Sequence, residues 1–111
     1  MKNLKPEESF QSAVIVAAHM QGWKVAHFRP AMTKSGKWIT AVGGDGKGFP
    51  DLFMVHPLKG LRVAAELKIP PNTVTPEQDA WLTWMEICGI PAFTWTPADW
   101  DEINRVLVFG V

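Results

Sequence analysis

Residues 61–68 read Leu61-Arg62-Val63-Ala64-Ala65-Glu66-Leu67-Lys68, and this segment most constrains the fold. Its apolar residues run almost without a break, the mark of a strand buried on both faces. Such a strand belongs inside a sheet with a layer on each side, which points to an α/β architecture. Side chains alternate along a strand. Leu61, Val63, Ala65 and Leu67 therefore share one face, and Arg62, Ala64, Glu66 and Lys68 share the other. A buried Glu66 is costly unless it is paired or bound to a metal. The competing reading is a structural ion pair with Lys68, two residues away on the same face.

A second short apolar strand, residues 51–55, begins with Asp51 after Pro50. Pro57 and Gly60 mark a hairpin between it and residues 61–68. If the two strands are neighbours, Asp51, Glu66 and Lys68 converge. Two carboxylates suit a hard divalent cation, with an ammonium beside it. Such a site fits phosphodiester hydrolysis, where the cation lowers the pKa of a water and neutralises developing charge.

The rest of the chain alternates helical and extended patterns. Phe10, Val14, Ala17 and Ala18 recur at helical spacing within residues 7–21, and Gly22 is a natural stop. Residues 23–29 read as a strand. Residues 30–47, with Pro30, Gly36, Gly43, Gly44 and Gly46, read as an ordered loop with a short strand at 38–40. A loop of that length is often functional. Thr75 can cap a helix with Pro76 at its first position. That helix carries Trp81, Leu82, Trp84, Met85 and Cys88 and ends near Gly89. Residues 90–95 read as a fourth strand, and Pro97 opens a last helix through Ile103, Val106 and Leu107. The expected order is αβββαβα in one domain, residues 1–111. The second and third strands pair antiparallel, and the helix after residue 75 permits a parallel crossover to the fourth.

Composition narrows the class of protein. No apolar run approaches the roughly 20 residues that span a bilayer, and no apolar stretch follows Lys2 and Lys5 as in a signal peptide. A cytoplasmic protein is expected. Cys88 is the sole cysteine, has no intramolecular disulfide partner, and is expected to be a buried small hydrophobe. The formal net charge of zero counts against a nucleic-acid partner. The distribution counts the other way: Lys24, Arg29, Lys34, Lys37 and Lys47 cluster, while most acidic residues fall later.

The sequence resembles the PD-(D/E)xK nuclease superfamily, with Pro50-Asp51 followed by Glu66-Leu67-Lys68. Further matches are Glu7 before Gln11 in the first helix, Lys47-Gly48-Phe49-Pro50-Asp51-Leu52, Thr75-Pro76-Glu77-Gln78, Trp81-Leu82, and Thr94-Trp95-Thr96-Pro97 ahead of Asp99-Trp100. In that order they are similar to the VRR-NUC family, the virus-type replication and repair nucleases, in its small stand-alone phage and prophage form. The resemblance covers nearly the whole chain. It implies a restriction-endonuclease-like core with a mixed central sheet flanked by helices. It implies DNA cleavage with Mg²⁺, for which Mn²⁺ substitutes, on branched substrates such as four-way junctions, leaving a 5′-phosphate. It also implies a homodimer.

By the same resemblance the metal ligands are Glu7, Asp51, Glu66 and the main-chain oxygen of Leu67. Glu8 competes with Glu7, and both also suit the helix dipole as N-terminal charges. Lys68 serves as a charge stabiliser and orienter of water. Nearby carboxylates would raise its pKa, which disfavours proton abstraction. Gln78 is implied near the site, against a bland reading as a solvated helix position. His27, Arg29, Lys34, Lys37 and Lys47 are candidate phosphate contacts, and Trp38 is a candidate for stacking on DNA. Trp81, Trp84, Trp95 and Trp100 are expected in the core. His19, His27 and His56 fit no zinc spacing. Gly43-Gly44-Asp45-Gly46-Lys47 lacks the ending of a P-loop. The rival to a nuclease is a catalytically silent DNA-binding or assembly module with the same fold.

Overall fold

The structure is a computed structural model that describes residues 5–28, 31–32, 34–39 and 42–111. Helix α1, Pro6–Met20, opens on Pro6 with Glu7 and Glu8 in its first turn and buries Phe10, Val14 and Ala18 along one stripe. Gly22 ends it at φ +91°, with the His56 ring so close that an added Cβ would lie 2.8 Å from Nε2. Strand β1, Lys24–His27, follows. The expected loop after it holds a small antiparallel hairpin of β2, Ala31–Met32, and β3, Trp38–Ile39. Then come β4, Leu52–His56, and β5, Leu61–Leu67. Helix α2, Pro76–Ile87, precedes β6, Ala92–Trp95. A short 3₁₀ turn, Pro97–Asp99, leads into α3, Trp100–Phe109.

The fold is α/β, with a mixed four-stranded sheet in the order β1-β4-β5-β6 and three helices. Strand β4 is antiparallel to both β1 and β5, and β5 is parallel to β6. A parallel pair needs a long crossover, and α2 supplies it. Among the described residues no helix is long and apolar enough to cross a membrane.

The two sheet faces are covered unequally. The register sets Leu52 opposite Ala65 and Met54 opposite Val63. These residues and Leu67 form one cluster with Phe10, Val14 and Ala18 of α1 and Ile103, Val106 and Leu107 of α3. Trp23 closes this side, donating its indole N–H to Leu107 O at 2.8 Å. On the other face Ala64 lies opposite Phe53 and Ala92, and Glu66 opposite Thr94. Helix α2 packs there on β5 and β6, and within it only Met85 is buried.

That thin cover corrects two expectations. Trp95 is buried and Trp100 packs on the core, but Trp84 is half exposed. Cys88 is exposed, not buried. It caps the C-terminus of α2, beyond Met85, the buried residue of that helix. The apolar residues of α2 are spread wider than the stripe the sheet can cover.

Candidate active site

The site forms where β4 begins and β5 ends. Continuing the register from Leu52 and Ala65 by one residue brings Asp51 opposite Glu66. Asp51 is held from both sides. Its carbonyl accepts the Phe28 N–H at 3.3 Å, and its Oδ2 accepts the Leu67 N–H at 2.9 Å. The approach to Asp51 depends on Gly48, at φ +87°, whose backbone presses against the start of α2. A Cβ there would lie 2.5 Å from the Glu77 carbonyl carbon, so only glycine fits without a shift. Lys47 adds an ion pair to Glu77 at 3.5 Å.

Glu66 is 1% exposed. Its Oε1 accepts a bond from Gln78 Nε2 at 3.3 Å. With both carboxyl groups ionised, no hydrogen-bond donor reaches the buried Oε2. Burial, then a hydrogen bond to the Asp51 carboxyl, then the negative charge of Asp51 push the Glu66 pKa up to about 9, while Lys68 acts in the opposite direction. Two carboxyl groups this close do not both ionise readily, so without a cation Glu66 keeps its proton at neutral pH.

Gln78 is fixed by a second set of bonds. Its N–H donates to Thr75 Oγ1 at 3.2 Å, and its Oε1 accepts the Thr75 N–H at 2.9 Å. This capping box at the start of α2 leaves the amide nitrogen facing Glu66. The expected Thr75 cap and the site-side position of Gln78 are thus parts of one arrangement. Lys68 follows β5, half-buried, with its N–H donating to Trp95 O at 2.9 Å. It is not in an ion pair with Glu66; the ion pair near the site is Lys47–Glu77. The structural pairing that competed for Glu66 is therefore absent.

Asp51, Glu66, Lys68, Gln78 and the Leu67 main chain come together, and Glu7 does not join them. Among the described residues no three His, Cys, Asp or Glu side chains gather around one point. The reason is layering: α1 packs on the face of Val63 and Ala65, whereas Glu66 faces α2. Glu7 and Glu8 are both exposed. Two carboxylates, one with an unpartnered buried oxygen, still fit a small hard cation that keeps several waters.

The basic candidates are scattered. Lys34 and Lys37 are exposed in the turn between β2 and β3, and Lys47 is exposed beside Glu77. Arg29 and the Trp38 side chain lie outside the described residues. His27, in β1, has a buried Nδ1 with no hydrogen-bond partner. His56 is not a free ligand: its Nε2 is 2.7 Å from Gln21 O, and its Nδ1 accepts the Lys59 N–H at 3.2 Å.

Sequence reasoning missed an apolar cleft of about 270 Å³ beside the site, between Phe49, Phe53 and the Trp81–Ile90 stretch. The signal was present as Phe49 two residues before Asp51 and as Trp81 and Trp84 three residues apart on one helix. Comparison with protein-family models, curated proteins and solved structures finds no match to this chain.

Proposed function

We propose that this chain is a divalent-metal-dependent DNA endonuclease of the VRR-NUC type, acting on branched DNA such as four-way junctions. The observation that carries this reading is the pairing of Asp51 with a buried Glu66 whose Oε2 has no hydrogen-bond donor once both carboxyl groups are ionised, beside Lys68 and Gln78. A carboxylate pair of this kind is unfavourable for folding alone and favourable for holding a cation. The α/β order with a mixed four-stranded sheet is compatible with a restriction-endonuclease-like core.

Asp51, Glu66 and the Leu67 carbonyl would hold Mg²⁺ or Mn²⁺. When bound, the cation supplies charge neutralisation at the phosphate and acidifies water. Gln78 orients the Glu66 carboxylate through its amide nitrogen. Lys68 sets a positive charge where negative charge develops on the phosphate oxygens during in-line displacement. A water attacks the phosphorus in line as its bond to the 3′ oxygen breaks, that oxygen leaves with a proton from solvent, and a 5′-phosphate remains.

A homodimer completes the proposal. The apolar C-terminus divides: Val106 and Leu107 fold into the core, while Phe109 and Val111 are exposed and available to a two-fold contact. Two sites so related would cut opposing strands at symmetric positions. Light scattering at micromolar concentration that shows a monomer, with unpaired nicks on a mobile junction, would refute this part.

The second reading, a silent DNA-binding or assembly module, draws on the lack of a third gathered carboxylate among the described residues. One experiment separates the two. Labelled four-way, flapped, single-stranded and linear DNAs are incubated with Mg²⁺ or Mn²⁺. Cleavage of a branched substrate that depends on the cation supports the nuclease. Binding without cleavage under either metal supports the silent module.

A further inference from the structure

We infer that the apolar cleft beside the carboxylate pair is a stacking subsite for one unpaired nucleobase. The identity of this ligand rests on the proposed phosphodiester chemistry of the neighbouring site. The cleft and that site are built on neighbouring residues of the same elements, the β4 segment and α2. Phe49 is two residues before Asp51, and Trp81 is three after Gln78, less than one turn of α2. A strand whose phosphate reaches Glu66 therefore carries an adjacent base past Phe49 and Trp81.

The chemistry of the cleft selects a flat apolar ligand. Its lining offers no polar surface. Phe28, Phe49, Trp81 and Trp84 form a row of edge-to-face contacts, with centroids 5.4, 5.2 and 5.4 Å apart and interplanar angles of 84°, 70° and 74°. None of these pairs is stacked; each edge-to-face contact covers one face of one ring and leaves the opposite face of that ring to other contacts. Trp81 is held in place, its indole N–H donating to Asp45 O at 3.0 Å. Trp84 is half exposed at the mouth. The volume of about 270 Å³ falls just under the range for drug-sized ligands and suits a single ring system. An apolar cleft reads no hydrogen-bond code, so every base is accepted alike. A fully paired duplex has no base to give. The subsite thus favours flaps, junction centres and single strands.

Cys88, the sole cysteine, lines the same cleft and is exposed, so its reactivity reports occupancy. The test uses a single-stranded oligodeoxynucleotide carrying one 2-aminopurine, first without divalent cation. The expected result is a change in 2-aminopurine fluorescence on binding, with protection of Cys88 from a thiol reagent. Trp84→Ala is expected to weaken binding about tenfold, Trp84→Phe to restore most of it, and Leu58→Ala, at a turn far along the chain, to change nothing. Equal affinity in Trp84→Ala, or no protection of Cys88 by bound DNA, overturns the subsite. So does protection that grows with protein concentration in the absence of DNA, which would assign the cleft to a second copy. Adding Mg²⁺ separates the two proposals. Cleavage of a flap without Cys88 protection leaves the nuclease and removes the subsite. Protection without cleavage leaves the subsite and removes the nuclease.

Discussion

The two faces of the central sheet solve different problems. The face under α1 and α3 is filled by Val14, Leu52, Met54, Ile103 and Val106, all fully buried. Its long-range hydrogen bonds, Trp23 to Leu107 and His56 to Gln21, are made, and Nδ1 of His27 in the outer strand β1 is its unpartnered atom among the described residues. The face under α2 buries a carboxyl group with an unpartnered oxygen and leaves an aromatic cleft open beside it. Close packing and satisfied polar groups stabilise a domain. The open face combines an unpartnered carboxylate oxygen with an aromatic cleft within a few residues, and this combination is what the proposed function draws on.

The largest expected effects separate the faces by activity. Asp51→Asn and Glu66→Gln should abolish cleavage of a branched DNA while circular dichroism and melting show an intact fold. A purified Glu66→Gln protein with full activity would break the comparison outright. Lys68→Ala should lower kcat by about 10²–10³, the size expected for one missing charge-stabilising group. Metal binding, followed by titration, should be largely kept.

On the packed face the order of effects reverses. Ile103→Ala or Leu107→Ala should destabilise the fold by about 2–5 kcal/mol, because each leaves a cavity in close-packed surroundings. Trp84→Ala on the open face should cost well under half of that, since half of the side chain is already in water. Denaturant melts of the three variants test this. Equal losses would mean that α2 is as tightly packed as α3.

Glu66 predicts a pH signature for the metal-free protein. Its carboxyl pKa rises from an ordinary 4.5 to about 9 on folding. The folded state then holds a proton that the unfolded state has released between those values. This contribution is full below about pH 4.5 and is lost as pH rises through about 9. Thermal stability should therefore fall across that window, and Glu66→Gln should flatten the fall. Mg²⁺ competes with the proton, so its stabilising effect should grow toward the alkaline end. A metal-free melting temperature that rises from neutral to alkaline pH would contradict the buried, protonated carboxyl.

The smallest effect concerns the basic residues. Neutralising Lys34, Lys37 and Lys47 together should weaken DNA binding. The salt slope should shrink by up to about 0.9 for each phosphate that a lysine no longer neutralises. The Lys47 share should be reduced, because Glu77 already faces it. An unchanged slope would move the DNA path away from the β2–β3 hairpin.

Much of this molecule was legible in the chain. Alternation in residues 61–68 set the two faces of β5, and the nearly unbroken apolar run foretold the burial of Val63 through Leu67 on both. Thr75 and Pro76 marked the start of α2 to the residue, because capping is a local hydrogen-bonding problem. The juxtaposition of Asp51 with Glu66 was also within reach, since a hairpin links them over few residues. What stayed hidden depended on layers that meet only in three dimensions. Sequence spacing says nothing about which sheet face a helix covers, so Glu7 could be grouped with Glu66 although their elements pack on opposite sides. Periodicity likewise finds an apolar helix without measuring how wide a stripe its partner covers. Cys88 and Trp84 were therefore expected inside, and the folded chain leaves them at the mouth of a cleft that no local pattern encodes.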